Sequence, residues 1–204
     1  SAIKSDQLAN VKTIKISGKM SATGMEMPMV MYMKNPNKIK VVYSMGGQEM
    51  VSAFDGVKGY TINPMTGSTD PVELTGDQLK QVQNNNVFSN EILNYFKSGK
   101  LTLDGEENVN GKPAFRLKAT TESTGPVILY VDKSTYLPVK SKTTTEQMGT
   151  SIEVESVMSD YREVDGVVMP GKTTAIANGM EAGVISFDKI EVNIPIEDAV
   201  FSLK

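Results

Sequence analysis

From Met25 to Met33 every second residue of the chain is methionine, in the run MEMPMVMYM. In a β-strand successive side chains point to opposite faces, so the run places Met25, Met27, Met29, Met31 and Met33 on one face. Glu26, Pro28, Val30 and Tyr32 take the other. Pro28 has no N–H to give to a ladder, which predicts an edge strand or a bulge there. The same rhythm continues beyond the run. Ile39, Val41, Tyr43 and Met45 alternate with Lys38, Lys40 and Ser44; Phe115 and Leu117 alternate with Arg116 and Lys118; Ile152 and Val154 alternate with Glu153 and Glu155. A period of two with one wet face predicts antiparallel strands that cover a core on one side. Six pairs carry hairpin chemistry between the alternating runs: Gly46-Gly47, Asp55-Gly56, Asp104-Gly105, Asn110-Gly111, Asp165-Gly166 and Asn178-Gly179.

Two stretches break the alternation. Thr75 to Val82 opens on a capping residue and repeats apolar positions at Leu79 and Val82. Ser89 to Ser98 opens on a cap, puts Ile92, Leu93 and Phe96 on one stripe and stops at Gly99. Both predict short helices, and the residues before Val11 read as the end of another. The expected fold is mainly β with α: a single domain over 1–204, with strands at about 11–63, a helical lid at about 75–98 and strands at about 100–203. Strands with helices gathered in one place predict a strongly curved sheet, a half-open antiparallel β-barrel covered by a few short helices.

Composition removes whole classes of chemistry. The chain holds no Cys and no His. Disulfides, thiolate metal sites and cysteine nucleophiles are excluded, and so is the commonest general base. No Ser–His–Asp triad can be built, and no enzymatic activity is expected. The net charge of −3 comes without a basic run, which gives no footprint for nucleic acid. No apolar run is long enough for a transmembrane segment. The polar opening at Ser1 suggests a leader absent from this chain, and leaves open whether a lipid-anchor Cys preceded it.

Several motifs match in form alone. Gly166 to Thr173 spells G-x-x-x-x-G-K-T. A phosphate loop needs a strand, a cradle of N–H groups and then a helix. Here Gly166 belongs to a turn, Pro170 removes a donor, and Asn178-Gly179 follows too soon for a helix. Ser1-Ala2-Ile3-Lys4 spells S-x-x-K at a terminus, and Glu106-Glu107 and Glu153/Glu155 read as solvated carboxylates.

The methionine stripe admits three readings. It can fill a core. It can line an apolar cavity, because thioethers adapt to a mobile acyl chain better than branched side chains do. It can bind a soft ion such as Cu(I), for which thioethers are suitable ligands, although no His or Cys supports such a site. The expected cavity wall is Met25, Met27, Met29, Met31, Met33, Ile39, Val41, Tyr43, Phe54, Tyr60 and Ile62; the expected lid is Leu79, Val82, Phe88, Ile92, Leu93 and Phe96. Charging the wall, as in Met29→Glu, is expected to remove ligand binding and leave the sheet folded.

In their order and spacing, a further set of short motifs resembles the periplasmic outer-membrane lipoprotein-sorting, or lipoprotein-carrier (LolA/LolB-like), family. They are Lys34-Asn35-Pro36-Asn37, then Asp55-Gly56, Tyr60 and Asn63-Pro64. Asn110-Gly111-Lys112-Pro113-Ala114-Phe115, Tyr136-Leu137-Pro138-Val139, Asp160-Tyr161 and the ending Ile194 to Phe201 are similar to Bacteroidetes-type members. The resemblance implies a half-open barrel under helices that shields the acyl chains of a lipoprotein between two membranes. It also implies a periplasmic or outer-membrane-associated location, an acyl chain or lipoprotein as ligand, an envelope protein as a further partner, and no cofactor. One position departs: the family's turn carries an Arg that bonds the helical lid, and this chain has Asn35 there. The family's latch does not carry over. A non-catalytic interaction or sensor module of the same fold is the alternative.

Overall fold

The computed structural model describes residues 10–67, 69–84, 88, 91–120, 126–147 and 150–203. Five strands come first: β1 (Thr13–Ala22), β2 (Met25–Lys34), β3 (Lys38–Met45), β4 (Gln48–Phe54) and β5 (Gly59–Ile62). A 3₁₀ turn (Pro64–Thr66), β6 (Val72–Leu74), α1 (Gly76–Asn84) and α2 (Glu91–Lys97) follow. Then come β7 (Leu101–Val109), β8 (Lys112–Ala119), β9 (Val127–Asp132), β10 (Pro138–Gln147) and β11 (Thr150–Ser159). The chain finishes with β12 (Arg162–Val164), β13 (Val167–Met169), β14 (Lys172–Ala177), β15 (Met180–Val192) and a 3₁₀ turn (Asp198–Phe201). Every strand pair whose register is resolved is antiparallel. The helical predictions fall on α1 and α2, and the first run of strands falls on β1 to β5.

Turn chemistry explains most of the hairpins. Gly46-Gly47, Asn110-Gly111, Asp165-Gly166 and Asn178-Gly179 hold positive φ at both central residues, the backbone that a tight hairpin requires. Thr23-Gly24 does the same between β1 and β2, with φ of 50° and 78°, although Thr is not a usual turn residue. Asp55 works differently: its Oδ1 accepts the N–H groups of Val57 and Lys58, both at 2.8 Å. Asp104-Gly105 corrects the expectation of a hairpin. It sits inside β7 as a bulge, where the register against β8 shifts between Leu103 and Gly105.

The chain divides into two compact units. The first contains residues 6–89, 164–166 and 186–204, and the second contains 90–163 and 167–185 as its main part. In the first, the strand order is β6-β5-β4-β3-β2-β1-β15, with β15 present through Ser186–Val192. In the second, the order is β14-β11-β10-β9-β8-β7, next to the Met180–Ile185 part of β15. β12 and β13 pair with each other. Among the described residues, β6 and β7 each have one strand neighbour, so the sheets end in open edges. The β7 edge is guarded by its bulge and by paired charges: Asp104 meets Arg116 at 2.6 Å and Glu106 meets Lys133 at 2.6 Å.

The two helices go to different units. α1 packs on β4 and sets Leu79 against Gly59, where a β-carbon would stand 2.7 Å from Leu79 Cδ1. α2 packs on β7. The two helices, expected together as one lid, thus belong to different units, each packed on a strand of its own unit. The phosphate-loop match is resolved in the same plain way. Lys172 and Thr173 open a strand rather than a helix, and the Gly171 N–H already donates to the carbonyls of Ser159 and Asp160 at 3.0 Å each. The S-x-x-K run and the helix end expected before Val11 lie outside the described residues.

Candidate apolar site

Register builds one apolar face in the first unit. Cross-strand partners point to the same side of a sheet. Met33 stands opposite both Ile14 and Ile39, Met31 opposite Ile16 and Val41, and Met29 opposite Gly18 and Tyr43. Phe54 pairs with Ile39, and Met50 pairs with Tyr43. Met20 pairs with Met27, and Met25 with Ala22. The face thus collects Met20, Met25, Met27, Met29, Met31, Met33, Met45 and Met50, eight of the chain's thirteen methionines. Sequence alternation found five of these and Met45. It missed Met20 and Met50 as wall residues, because only the pairing of β1 and β4 with their neighbours brings those isolated methionines to the stripe.

Side-chain type and burial change together along this face. At one end Ile14, Met33, Ile39 and Phe54 are buried, with Met33 1% exposed. Met29 is as deeply buried, at 1%, and Val41 is buried beside a half-buried Met31. Toward the β1–β2 and β3–β4 turns the residues become Met20, Met27, Met25 and Met45, and Met25 is 54% exposed. At the closed end Ile14, Ile39 and Phe54 pack around Met33, and at the other end both strands carry methionine, from buried Met27 to exposed Met25. Burial raises the Tyr43 hydroxyl pKa above the usual tyrosine value, which keeps that side chain neutral on the face.

Pro28 opens the sheet at that end. The β2–β3 ladder runs from Lys34↔Lys38 to Met29↔Tyr43 and stops there. On the other side β2 stays paired with β1 through Pro28 to Met25, and β3 stays paired with β4 through Met45. Pro28 has no donor for the next rung, and the two hairpin tips part at that point. β2 is thus flanked on both sides for most of its length and becomes an edge only where the proline stands. Met25 and Met27 lie on one lip of the split, and Met45 on the other.

Nine of the eleven predicted wall residues share this face: Met25, Met27, Met29, Met31, Met33, Ile39, Val41, Tyr43 and Phe54. Tyr60 and Ile62 do not. Their partners are Ala53 and Val51, on the side that carries Lys40 and Val42. The predicted lid is split as well. Leu79, Val82 and Phe88 are half-buried in the first unit, while Ile92, Leu93 and Phe96 belong to the second, with Phe96 68% exposed. At the Asn35 turn, Asn35 Nδ2 donates to Val11 O at 3.0 Å and its backbone N–H to Lys12 O at 2.9 Å. Asn35 therefore ties the β2–β3 turn to the chain before β1. Lys34 Nζ lies 2.7 Å from Asp198 and donates to Ile196 O, and Lys38 Nζ lies 3.0 Å from Asp198. These bonds pull the Asp198 carboxyl below the usual carboxylate range and hold the C-terminal turn.

The second unit has a cleft of about 390 Å³ lined by Val109, Ala114, Leu137, Val139, Met158 and Tyr161, with Asp132 and Thr135 beside them. Lys112 and Asp160 also line it, and two of its titratable groups, Asp132 and Tyr161, are committed to structure. Asp132 accepts from the N–H and hydroxyl of both Ser134 and Thr135, at 2.6 to 3.1 Å, which holds its pKa down to about 2. The Tyr161 hydroxyl donates to Pro138 O, and burial pushes its pKa up to about 12. A permanently charged carboxylate and a permanently neutral phenol are poor proton-transfer groups at neutral pH. Glu153 and Glu155, one of the carboxylate pairs, meet Lys142 and Lys140 across the β10–β11 ladder at 2.6 and 2.9 Å. Among the described residues no cluster of acidic side chains could hold a metal ion, and no helix is long and apolar enough to cross a membrane.

A family described as "Uncharacterized protein" matches residues 65–204. No curated protein matches the chain. Solved structures match it over nearly its whole length. A DUF1329 family protein from Desulfovibrio piger is 15% identical with a TM-score of 0.69, covering 98% of this chain and 94% of that one. An outer membrane lipoprotein-sorting protein domain from Vibrio parahaemolyticus is 11% identical with a TM-score of 0.64, covering 98% and 97%. A LolA superfamily protein from Nitrosomonas europaea is 13% identical with a TM-score of 0.61, covering 98% and 96%. At these identities the likeness is one of fold. The chain belongs to the family matched over residues 65–204, and its fold is that of the outer-membrane lipoprotein-sorting proteins of the LolA superfamily.

Proposed function

We propose that this protein is a non-catalytic binding or carrier protein of the cell envelope that shelters acyl chains, free or on a lipoprotein, against its methionine face. The observation that carries the reading is the gradient along that face, from buried Ile14, Ile39 and Phe54 to the thioethers of Met20, Met25, Met27 and Met45 at the Pro28 split. A closed apolar core has no use for exposed methionine at one end. A site that takes chains of different length and shape does, because thioethers repack at small cost. Each methylene moved from water onto the face contributes about 0.8 kcal/mol, so a chain of ordinary length binds through area alone. The lipoprotein-sorting fold supports the same reading by analogy. In this reading the sheet is a half-open barrel, α1 covers it near Gly59, and the split at Pro28 admits the chain. Donor and acceptor are other envelope proteins.

The test is native mass spectrometry after incubation with a lipopeptide or fatty acid. The protein should keep an added mass that fragments to an acyl chain, and Met25→Glu combined with Met45→Glu should lose it without a change in melting temperature. A protein that stays bare under these conditions sinks the proposal.

A further inference from the structure

Met20 and Met27 stand directly opposite each other near the tip of the β1–β2 hairpin. Its neighbours on that face of β1 are Gly18 and Ala22, opposite Met29 and Met25. Side chains diagonal to one another across two strands lie about 7–8 Å apart at the backbone, within reach of long side chains. The place of a Gly18 side chain is taken by the Ser186 carbonyl of β15, whereas Ala22, opposite Met25, carries only a methyl group beside Met20. The thioethers of Met27, directly opposite, and of Met25, past Ala22, can therefore approach Met20 from one side of the hairpin. The charged residues of the tip lie on the opposite face, where Lys19 meets Glu26 at 2.7 Å. The sulfur side thus faces no ammonium group from its own hairpin. Met25 is 54% exposed, Met20 half-buried and Met27 8% exposed, so an ion could reach the cluster from solvent and be held out of water.

We infer that the tip of the β1–β2 hairpin is a binding site for a soft monovalent cation, Cu(I), held by the thioethers of Met20, Met25 and Met27. Thioethers are soft ligands that suit Cu(I), and the chain has no thiolate or imidazole to attract Zn(II) instead. The site needs two strands in register. That is why the run from Met25 to Met33, read alone, leaves its most central ligand out.

The site does not depend on acyl-chain binding, and leucine tests the part played by sulfur. Met→Leu keeps an apolar side chain of similar size and removes the sulfur. The experiment is anaerobic titration of the purified protein with Cu(I) in competition with bicinchoninate. One equivalent should be withheld from the chelator by the wild-type protein, and Met20→Leu with Met27→Leu should weaken that retention at least ~10-fold while the circular dichroism spectrum and melting temperature stay unchanged. A wild-type protein that withholds no Cu(I), or a leucine variant that withholds as much, overturns the assignment. So does equal retention of Zn(II).

Discussion

A β-carbon on Gly18 would stand 2.1 Å from the carbonyl oxygen of Ser186. The backbone of β15 occupies the space that a side chain on β1 would take, directly across from Met29. The obstacle is backbone, which does not swing aside as a side-chain end does. Gly18→Ala should therefore destabilise the protein by about 1–3 kcal/mol, the usual cost of overpacking a filled site. A thermal melt should show a drop of about 2–4 °C for each kcal/mol in a chain of this size. An unchanged melt would mean that β1 and β15 are not so close.

The depth of Met29 changes what a charge there would do. At 1% exposure, a carboxylate at position 29 would be shut off from water. Met29→Glu should cost several kcal/mol and unfold the first unit, rather than leave the sheet intact as alternation alone suggested. Met29→Leu should cost less than about 1.5 kcal/mol. Urea unfolding of the two variants distinguishes depth from mere position on the stripe.

Pro28→Thr should return the missing donor and favour the strand. The rung opposite Ser44 should then form, lengthening the β2–β3 ladder beyond Met29↔Tyr43. The new N–H at position 28 should exchange slowly, and exchange at Ser44 should slow relative to the wild type. If the split admits acyl chains, binding should weaken in the same variant; slower exchange with binding untouched would place the opening elsewhere.

The second unit should lose stability at both ends of the pH scale. The Asp132 pKa is lowered from 3.8 to about 2, so its contribution is complete above pH 4 and fades as pH falls toward 2. The Tyr161 pKa is raised from 10.0 to about 12, so its contribution is complete below pH 10 and fades as pH rises toward 12. Melting temperature followed across pH should show both limbs. Asp132→Asn should flatten the acid limb alone and Tyr161→Phe the alkaline limb alone.

Much of this was legible in the sequence, and particular residues show why. Alternation is a local property of the backbone, so the strands around Met29, Val41, Leu117 and Val154 followed from the order of residues. Gly, Asn and Asp at positive φ are local too, and four of the six marked pairs make tight hairpins. The missing His and Cys limited the chemistry without any structure. Asp104-Gly105 was misread because a bulge and a hairpin ask for the same residues, and only the strand opposite decides between them.

What tertiary structure decided was the partner of each strand and the unit to which each piece belongs. A shift of one residue in register moves a side chain to the other face, and no local pattern fixes that shift. The β4–β5 pairing therefore took Tyr60 and Ile62 off the methionine face, while the β1–β2 pairing brought Met20 onto it. The two helices, 6 residues apart in sequence, went to different units for the same reason. Sequence set which groups are apolar and how the backbone turns; long-range pairing set which of them meet.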